Sequence, residues 1–534
     1  MRSPYFTVEH DVFREGVRKF VAEEVAPNAD LWERDHMIPR EIWRRMGELG
    51  YLGINHSEAH GGSEADFFYS VVFLEELARG NMGGFTAAVS VQQYMATAHI
   101  AKAGSEDIKQ QFLVPSIEGQ AVGALAISEP DTGSDVANIR TRARREGDEY
   151  VIDGAKMFIT NGYYADFVVV ACRTGEDGAS GISLIVVETT RPGFKARKLD
   201  KIGWRCSDTA EMSFDGVRVP VSNLVGKENH GFYYIMESFQ LERLVGAVGA
   251  IGAADYVLEF TGKYIRERQA FGRPVARFQT IRHDMADMVT ELAAARQLVY
   301  HTAWLYDQGE VPVLECSMIK LKAAELCNEI IDRCLQCHGG YGYMEEYPIA
   351  RAYRDTRVGT IAGGTSAIMR EIIAKMVLDE TQYETVYKDR DQAEQLNKAA
   401  SDPAAEKAEA APKQAAEKAE AAAPATGDGS SIPALFARLP DRFSEALWSG
   451  EDLVFHFNIE GEGGGEYTVK VAEGKATSAA GLSGAADCVV DTAAKLFLDL
   501  EAGQANPQTA FMTGQLRVSS IPHVLTFMRI FQLG

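Results

Sequence analysis

The chain has 534 residues, too many for one hydrophobic core, so at least two domains are expected. A formal net charge of −22 argues against nucleic-acid or anionic-membrane partners, and 46% hydrophobic content suits a soluble globular protein. The opening MRSPYFTVEHDVFREGVRKF is broken by charges and does not read as a secretory leader. Apolar runs such as FVVVAC at 167–172 are too short for a membrane span. Seven cysteines, mostly in helical-looking sequence, point to reduced thiols and a cytoplasmic setting.

Residues 8–118 carry helical periodicity. Val8, Val12, Val17, Phe20, Val21 and Val25 recur at near-helical spacing, and Pro27 is expected to end that run. SVVFLEELARG reads as another helix, with Gly80 at its stop. Near residue 121 the pattern changes. ALAIS, DEYVIDGAKMFI, FVVVAC, ISLIVVE and TAEMSFDGVRVP are short, β-branched and divided by Gly/Asp turns, which fits a small antiparallel barrel or sandwich.

Helical text returns over 231–376. MESFQLERLVGAVGAIGAADYVLEFTGKYIRERQ predicts one long helix, and others are expected near 281–308 and 312–337. The order helices, strands, helices excludes a Rossmann-like alternation. Gly246, Gly249 and Gly252 lack the spacing and the preceding strand of a dinucleotide loop, and read as close helix packing.

Residues 386–430 contain AAEKAEAAP at 404–412 and AAEKAEAAAP at 415–424, too polar and small to build a core, and read as a linker. After 431, FHFNI, EYTVKVAEGKAT and DCVVDT read as strands, and AAKLFLDLEAG and HVLTFMRIFQL as amphipathic helices, giving an independent α+β domain. The expected division is 1–120, 121–230, 231–385, the linker 386–430, and 431–534.

At 360–369 the chain reads TIAGGTSAIM, a glycine loop suited to approach a ligand with its backbone, yet without acid or base. This loop belongs to a set of motifs: ISEPDTGSD at 127–135, KMFITNG at 156–162, KIGWRCSDTAEMSFDGVRVP at 201–220, RQAFGRPVARFQ at 268–279, and QCHGGYGYMEEYPIARAYRD at 336–355. Through them, residues 1–385 resemble the acyl-CoA dehydrogenases, flavoenzymes that introduce a 2,3-double bond into acyl-CoA thioesters. The resemblance implies an all-α, β-barrel, all-α architecture, FAD, an electron-transfer flavoprotein as acceptor, and a homotetramer built as two dimers.

Most members of that family carry Glu-Gly-Thr where this chain has Gly363, Gly364 and Thr365, and that Glu is their base. In the long-chain and isovaleryl-CoA dehydrogenases the base lies instead on the long helix after the β-domain. The segment QLERLVG at 240–246 places Glu242 there. The resemblance therefore implies Glu242 as base, with the Gly363 backbone as donor to the thioester oxygen. A surface Glu in a local ion pair is the alternative for an acid on a helix.

The same resemblance assigns Ala126, Ile127, Ser128, Thr132, Gly133, Ser134, Phe158, Ile159 and Thr160 to the flavin ring, with Phe158 where Trp is usual. Arg268, Phe271 and Gln279, and Gln336, Gly339 and Gly340 of a neighbouring subunit, would meet the pyrophosphate and adenosine. Thr365 would also reach the cofactor. Ser134, Arg243 and Gly364 are substrate candidates, against a turn-capping Ser and a structural Arg ion pair. Cys334, Cys337 and His338 fit a haem-attachment pattern, and with Cys327 a partial zinc set. The missing leader and second ligand pair speak against both, and the four read as helix-packing groups.

Residues 431–534 resemble the sterol-carrier-protein type of lipid-binding domain through VFHFNIEG, YTVKVAEGKA and ADCVVDTAAKLFLDLEAGQANPQTAFMTGQLRV. That implies a lipid or acyl-CoA ligand, with Phe511, Phe527 and Phe531 lining a cavity or filling a core. The expected activity is acyl-CoA dehydrogenation of medium, long or branched chains. Two alternatives stand beside it: an oxygen-using oxidase, which Phe158 leaves open, and a non-catalytic lipid-binding scaffold.

Overall fold

The computed structural model describes residues 4–379, Thr381 and Tyr383, then 432–444 and 452–501 except Glu462 and Glu473, then 516–518, Phe527, Ile530 and Phe531. The expected linker at 386–430 and Phe511 lie outside the described residues. Two compact units divide at residue 405.

The first unit begins with α1 (Val8–Phe20), α2 (Ala29–Asp35), α3 (Arg40–Glu48), α4 (Phe67–Ala78), α5 (Gly83–Ser90), α6 (Thr97–Ala103), α7 (Glu106–Ile108) and α8 (Val114–Ile117). Pro27 does not end the first run. It sits in the opening turn of a short 3₁₀ segment, Ala26–Asn28, where its missing N–H costs nothing, and the chain stays helical to Asp35. Helix α4 is capped by Asp66, which accepts from Phe68 N at 2.9 Å, and it is buried on nearly every face, which makes it a core helix.

Eight strands follow: β1 (Gly123–Ala126), β2 (Arg142–Glu146), β3 (Glu149–Thr160), β4 (Phe167–Arg173), β5 (Ile182–Glu188), β6 (Phe194–Lys198), β7 (Thr209–Pro220) and β8 (Leu224–Val225). The sheet is mixed rather than antiparallel, because β1 and β2 both pair with β4 in parallel. The continuous apolar run of β4 has a physical reason. Val168, Val170 and Cys172 enter the core of the β-domain, while Phe167, Val169 and Ala171 pack against Ile100, Phe112 and Ile235 from the helices.

The second helical part holds α9 (Gly231–Glu267), the two-residue strands β9 (Gln269–Ala270) and β10 (Arg273–Pro274), α10 (Gln279–Asp307), α11 (Val313–His338), α12 (Pro348–Thr356) and α13 (Ser366–Leu378). By length and composition α9 is long and apolar enough to cross a membrane, so the short runs quoted from the sequence understate it. Its apolar face is spent on α4, α10 and α11 in one buried cluster. Of Gly246, Gly249 and Gly252, only Gly252 serves close packing: a Cβ there would stand 3.0 Å from Glu75 Cα. At Gly246 it would meet nothing within 4 Å.

The second unit contains α14 (Ile432–Arg438), β11 (Leu453–Glu460), β12 (Gly465–Ala472), β13 (Lys475–Ala480), β14 (Cys488–Ala493), α15 (Ala494–Glu501) and β15 (Leu516–Val518). The sheet order is β13-β12-β11-β14-β15. Phe436 stacks on Tyr467 at 4.1 Å, and Phe527 and Phe531 are buried against Phe455, Phe457 and each other.

Candidate active site

Glu242 lies in the N-terminal third of α9. The residue as a whole is only partly buried, but its Oε1 is sealed from solvent and has no hydrogen-bond partner among the described residues. Burial pushes the carboxyl up to about 8, and the nearby Arg243 offsets only part of that effect. A surface glutamate in an ion pair would show the opposite. Gly246, one turn on, leaves open space beside it.

Arg243 is buried and donates to Gln240 Oε1 at 3.1 Å. Its charge reaches α11, where burial first and Arg243 second lower the Lys320 ammonium to about 8. Lys320 donates to the Gly364 carbonyl. This ties the Arg243 end of α9, through α11, to the glycine loop. Gly363 (φ +65°) and Gly364 (φ +89°) both sit in the left-handed region. A Cβ on Gly364 would stand 2.7 Å from Met369 Cε, whereas at Gly363 it would meet nothing within 4 Å. Thr365 caps α13, its hydroxyl accepting from Ile368 N at 3.2 Å, so that side chain is already spent locally. Sequence reasoning missed Lys320. A lysine within the buried stripe of α11 was the available signal.

The segment assigned to the flavin ring is braced by a buried ion pair. Lys156 Nζ donates to Glu129 Oε1 at 2.9 Å and to Ile127 O at 2.8 Å, and Glu129 also accepts from Arg140 N and Thr141 N. Burial works to raise Glu129, but Lys156 and those N–H groups outweigh it and hold the carboxyl below its usual value. Burial lowers the Lys156 ammonium. The sequence hinted at this pair only by placing a lysine inside an apolar strand.

Met157 N donates to Ser128 O at 2.9 Å, setting the end of β1 beside a register shift in β3 between Lys156 and Ile159. The shift carries Phe158 (φ +64°) outward, leaving its ring 70% exposed. Thr132 is buried and Gly133 and Ser134 are exposed on the same loop, while Thr160 ends β3 opposite Thr209. Ala126 and Ile159 instead put their side chains into the core, leaving only backbone for a ligand.

A cavity of about 660 Å³ gathers Arg268, Gln336, Gly339 and Gly340 with Tyr264, Cys337, His338 and Tyr341. One chain therefore places Arg268 beside the residues expected from a neighbouring subunit. Phe271 is 96% exposed, and Gln279 is exposed at the start of α10. Neither lines this cavity. Gly339 adopts φ +57°, ψ −140°, a conformation open essentially to glycine. His338 is engaged by stacking on Tyr264 at 4.2 Å and by contact with Cys334 O. Burial raises the Cys334 thiol to about 12. These groups serve packing.

Models of the acyl-CoA dehydrogenase N-terminal, middle and C-terminal domains match residues 7–120, 124–217 and 229–378. The rat mitochondrial long-chain specific acyl-CoA dehydrogenase is 42% identical over 380 residues, covering 70% of this chain and 88% of its own length. This chain belongs to the acyl-CoA dehydrogenase family. Among solved structures, the Geobacillus kaustophilus acyl-CoA dehydrogenase is similar with a TM-score of 0.69 and 42% identity, covering 71% of this chain and all of that one. A Mycobacterium smegmatis glutaryl-CoA dehydrogenase in complex with FADH2 aligns with a TM-score of 0.67 and 30% identity, covering 71% of this chain and 97% of that one. The SCP-2 sterol transfer family matches residues 436–531, so the dehydrogenase is followed by a domain of that family.

FAD is the cofactor of this family, and the residues present fit it. Arg268 and the Gly339 and Gly340 backbone suit a phosphate-bearing ligand, and the exposed flat ring of Phe158 suits an aromatic system.

Proposed function

We propose that this acyl-CoA dehydrogenase acts on medium-to-long or branched acyl-CoA, with Glu242 as the base that removes the α-proton. The observation carrying this reading is the Glu242 Oε1, sealed from solvent and without a hydrogen-bond partner among the described residues, in a chain whose glycine loop has no acid. Desolvation makes it a stronger base than an exposed Glu. The thioester α-proton is weakly acidic, so the oxyanion that develops needs a fixed donor. The Gly363 N–H supplies it, on a loop anchored by Lys320 and leading into the N-terminus of α13. Bound FAD supplies the hydride acceptor. Arg268, Gln336, Gly339 and Gly340 would hold it, and Phe158 would cover it.

In this reading an electron-transfer flavoprotein takes the electrons, and the enzyme assembles as a tetramer of two dimers in the reducing cytoplasm, which the free cysteines support. The SCP-2 domain binds lipid or acyl-CoA and, through its tether, raises the concentration of acyl chains near the active site. Anaerobic mixing of the FAD-loaded full chain with short, medium, long and branched acyl-CoAs tests the reading. Flavin bleaching is expected with the longer or branched chains, and reoxidation by electron-transfer flavoprotein should outpace that by oxygen. Faster reoxidation by oxygen would make it an oxidase, and no bleaching by any acyl-CoA would leave a scaffold.

A further inference from the structure

A second cavity, of about 500 Å³, lies between α6 and its preceding turn, α9, and the segment after α10. Ser238 and Leu241 of α9 line it. Ser238 is four residues before Glu242, on the same helical face and about 6 Å along the axis. Leu241 adjoins Glu242 in sequence. Glu242 itself does not line the cavity; Ser238, one turn before it on the same helical face, does.

Its walls are not those of a hydrocarbon tunnel. Leu241, Phe67 and Tyr306 give apolar surface, but Gln93, Tyr94, His99 and Ser238 bring polar atoms. Two of these are already satisfied. Gln93 Oε1 accepts from Gly53 N at 3.0 Å, Gln93 Nε2 donates to the Tyr94 hydroxyl at 2.8 Å, and that hydroxyl donates to Ser70 Oγ at 2.8 Å.

The other two are not. His99 is only 4% exposed, and its Nε2 has no partner among the described residues; neither has the buried Ser238 Oγ. Burial, reinforced by the Lys102 charge, lowers the His99 imidazole to about 4, so the ring is neutral and carries one donor and one acceptor. A plain alkyl chain would seal both groups away unpaired, which buried polar atoms resist. A hydroxyl offers a donor and an acceptor, which a plain alkyl chain lacks.

We propose that the preferred acyl chains of this enzyme carry a hydroxyl several carbons beyond the thioester, bound between His99 and Ser238. This deepens the function proposed above and rests on Glu242 as the base.

The test compares kcat/KM for flavin reduction of the FAD-loaded full chain by plain acyl-CoAs and by matched chains with a hydroxyl walked along them. One hydroxyl position should exceed its plain counterpart by at least about tenfold. His99→Leu and Ser238→Ala should each remove that ratio. A ketone at the same position, which accepts but cannot donate, should fall between the two. The ratio is read within each protein, so a general loss of folding or FAD does not imitate the effect. The Ser238 variant tests the proposal even if the His99 variant fails to fold. Equal or poorer reaction of every hydroxylated chain, with plain chains active, would overturn the proposal while leaving the dehydrogenase reading intact. So would a tenfold preference that survives both variants. No reduction by either series would overturn both.

Discussion

Buried and only partly relieved by Arg243, the Glu242 carboxyl is pushed from 4.5 to about 8. With Glu242 as base, about one enzyme molecule in ten is competent at pH 7 and about half at pH 8. The kcat/KM for acyl-CoA reports the free enzyme, so it should rise about tenfold from pH 7 to an alkaline plateau. The same group has a stability consequence with a fixed sign. A carboxyl raised on folding favours its neutral form, so its stabilising contribution is complete below 4.5 and is lost as pH climbs through about 8. That contribution is at most about 5 kcal/mol. Glu242→Gln keeps the shape without the titration, so its unfolding midpoint should fall less than wild type's between pH 5 and 9. Stopped-flow flavin reduction and thermal unfolding across that range measure both. A flat wild-type kcat/KM profile, or an inflection near 5, would refute the burial argument.

Glu129→Gln leaves Lys156 buried without its counter-charge, a loss of about 3–5 kcal/mol; thermal unfolding should show it, with FAD released earlier. Lys320→Met removes the charge-assisted bond to Gly364, and flavin reduction should slow by about tenfold or more with FAD retained. In Gly339→Ala a Cβ would meet nothing within 4 Å, so any effect comes from the backbone. A cost of about 1–3 kcal/mol should appear as faster FAD loss on dialysis.

What the sequence made legible follows from local signals. The long apolar period of α9 announced the helix, whereas Glu242 as base came from the family resemblance, which set an acid at 242 against none at 363. The apolar run of β4 marked a strand, but neither its burial on both faces nor its parallel partners, since both depend on distant segments. Pro27 misled because proline in a first turn and proline after a last turn look alike when helices abut. Gly246 read as packing, yet it leaves room beside Glu242. A glycine in a helix does not reveal whether it faces backbone or open space. The partners of Lys320 and Lys156, and the His99 cavity, were hidden for another reason: each joins residues far apart in the chain, and a lysine in an apolar helix or strand does not name its partner.

The most direct test of the central claim is the anaerobic flavin-reduction rate of Glu242→Gln with a saturating acyl-CoA that wild type oxidises, with FAD content matched. The rate should fall by at least about a hundredfold, with the flavin still bound and still reducible by dithionite. Reduction at the wild-type rate would mean that another group takes the α-proton.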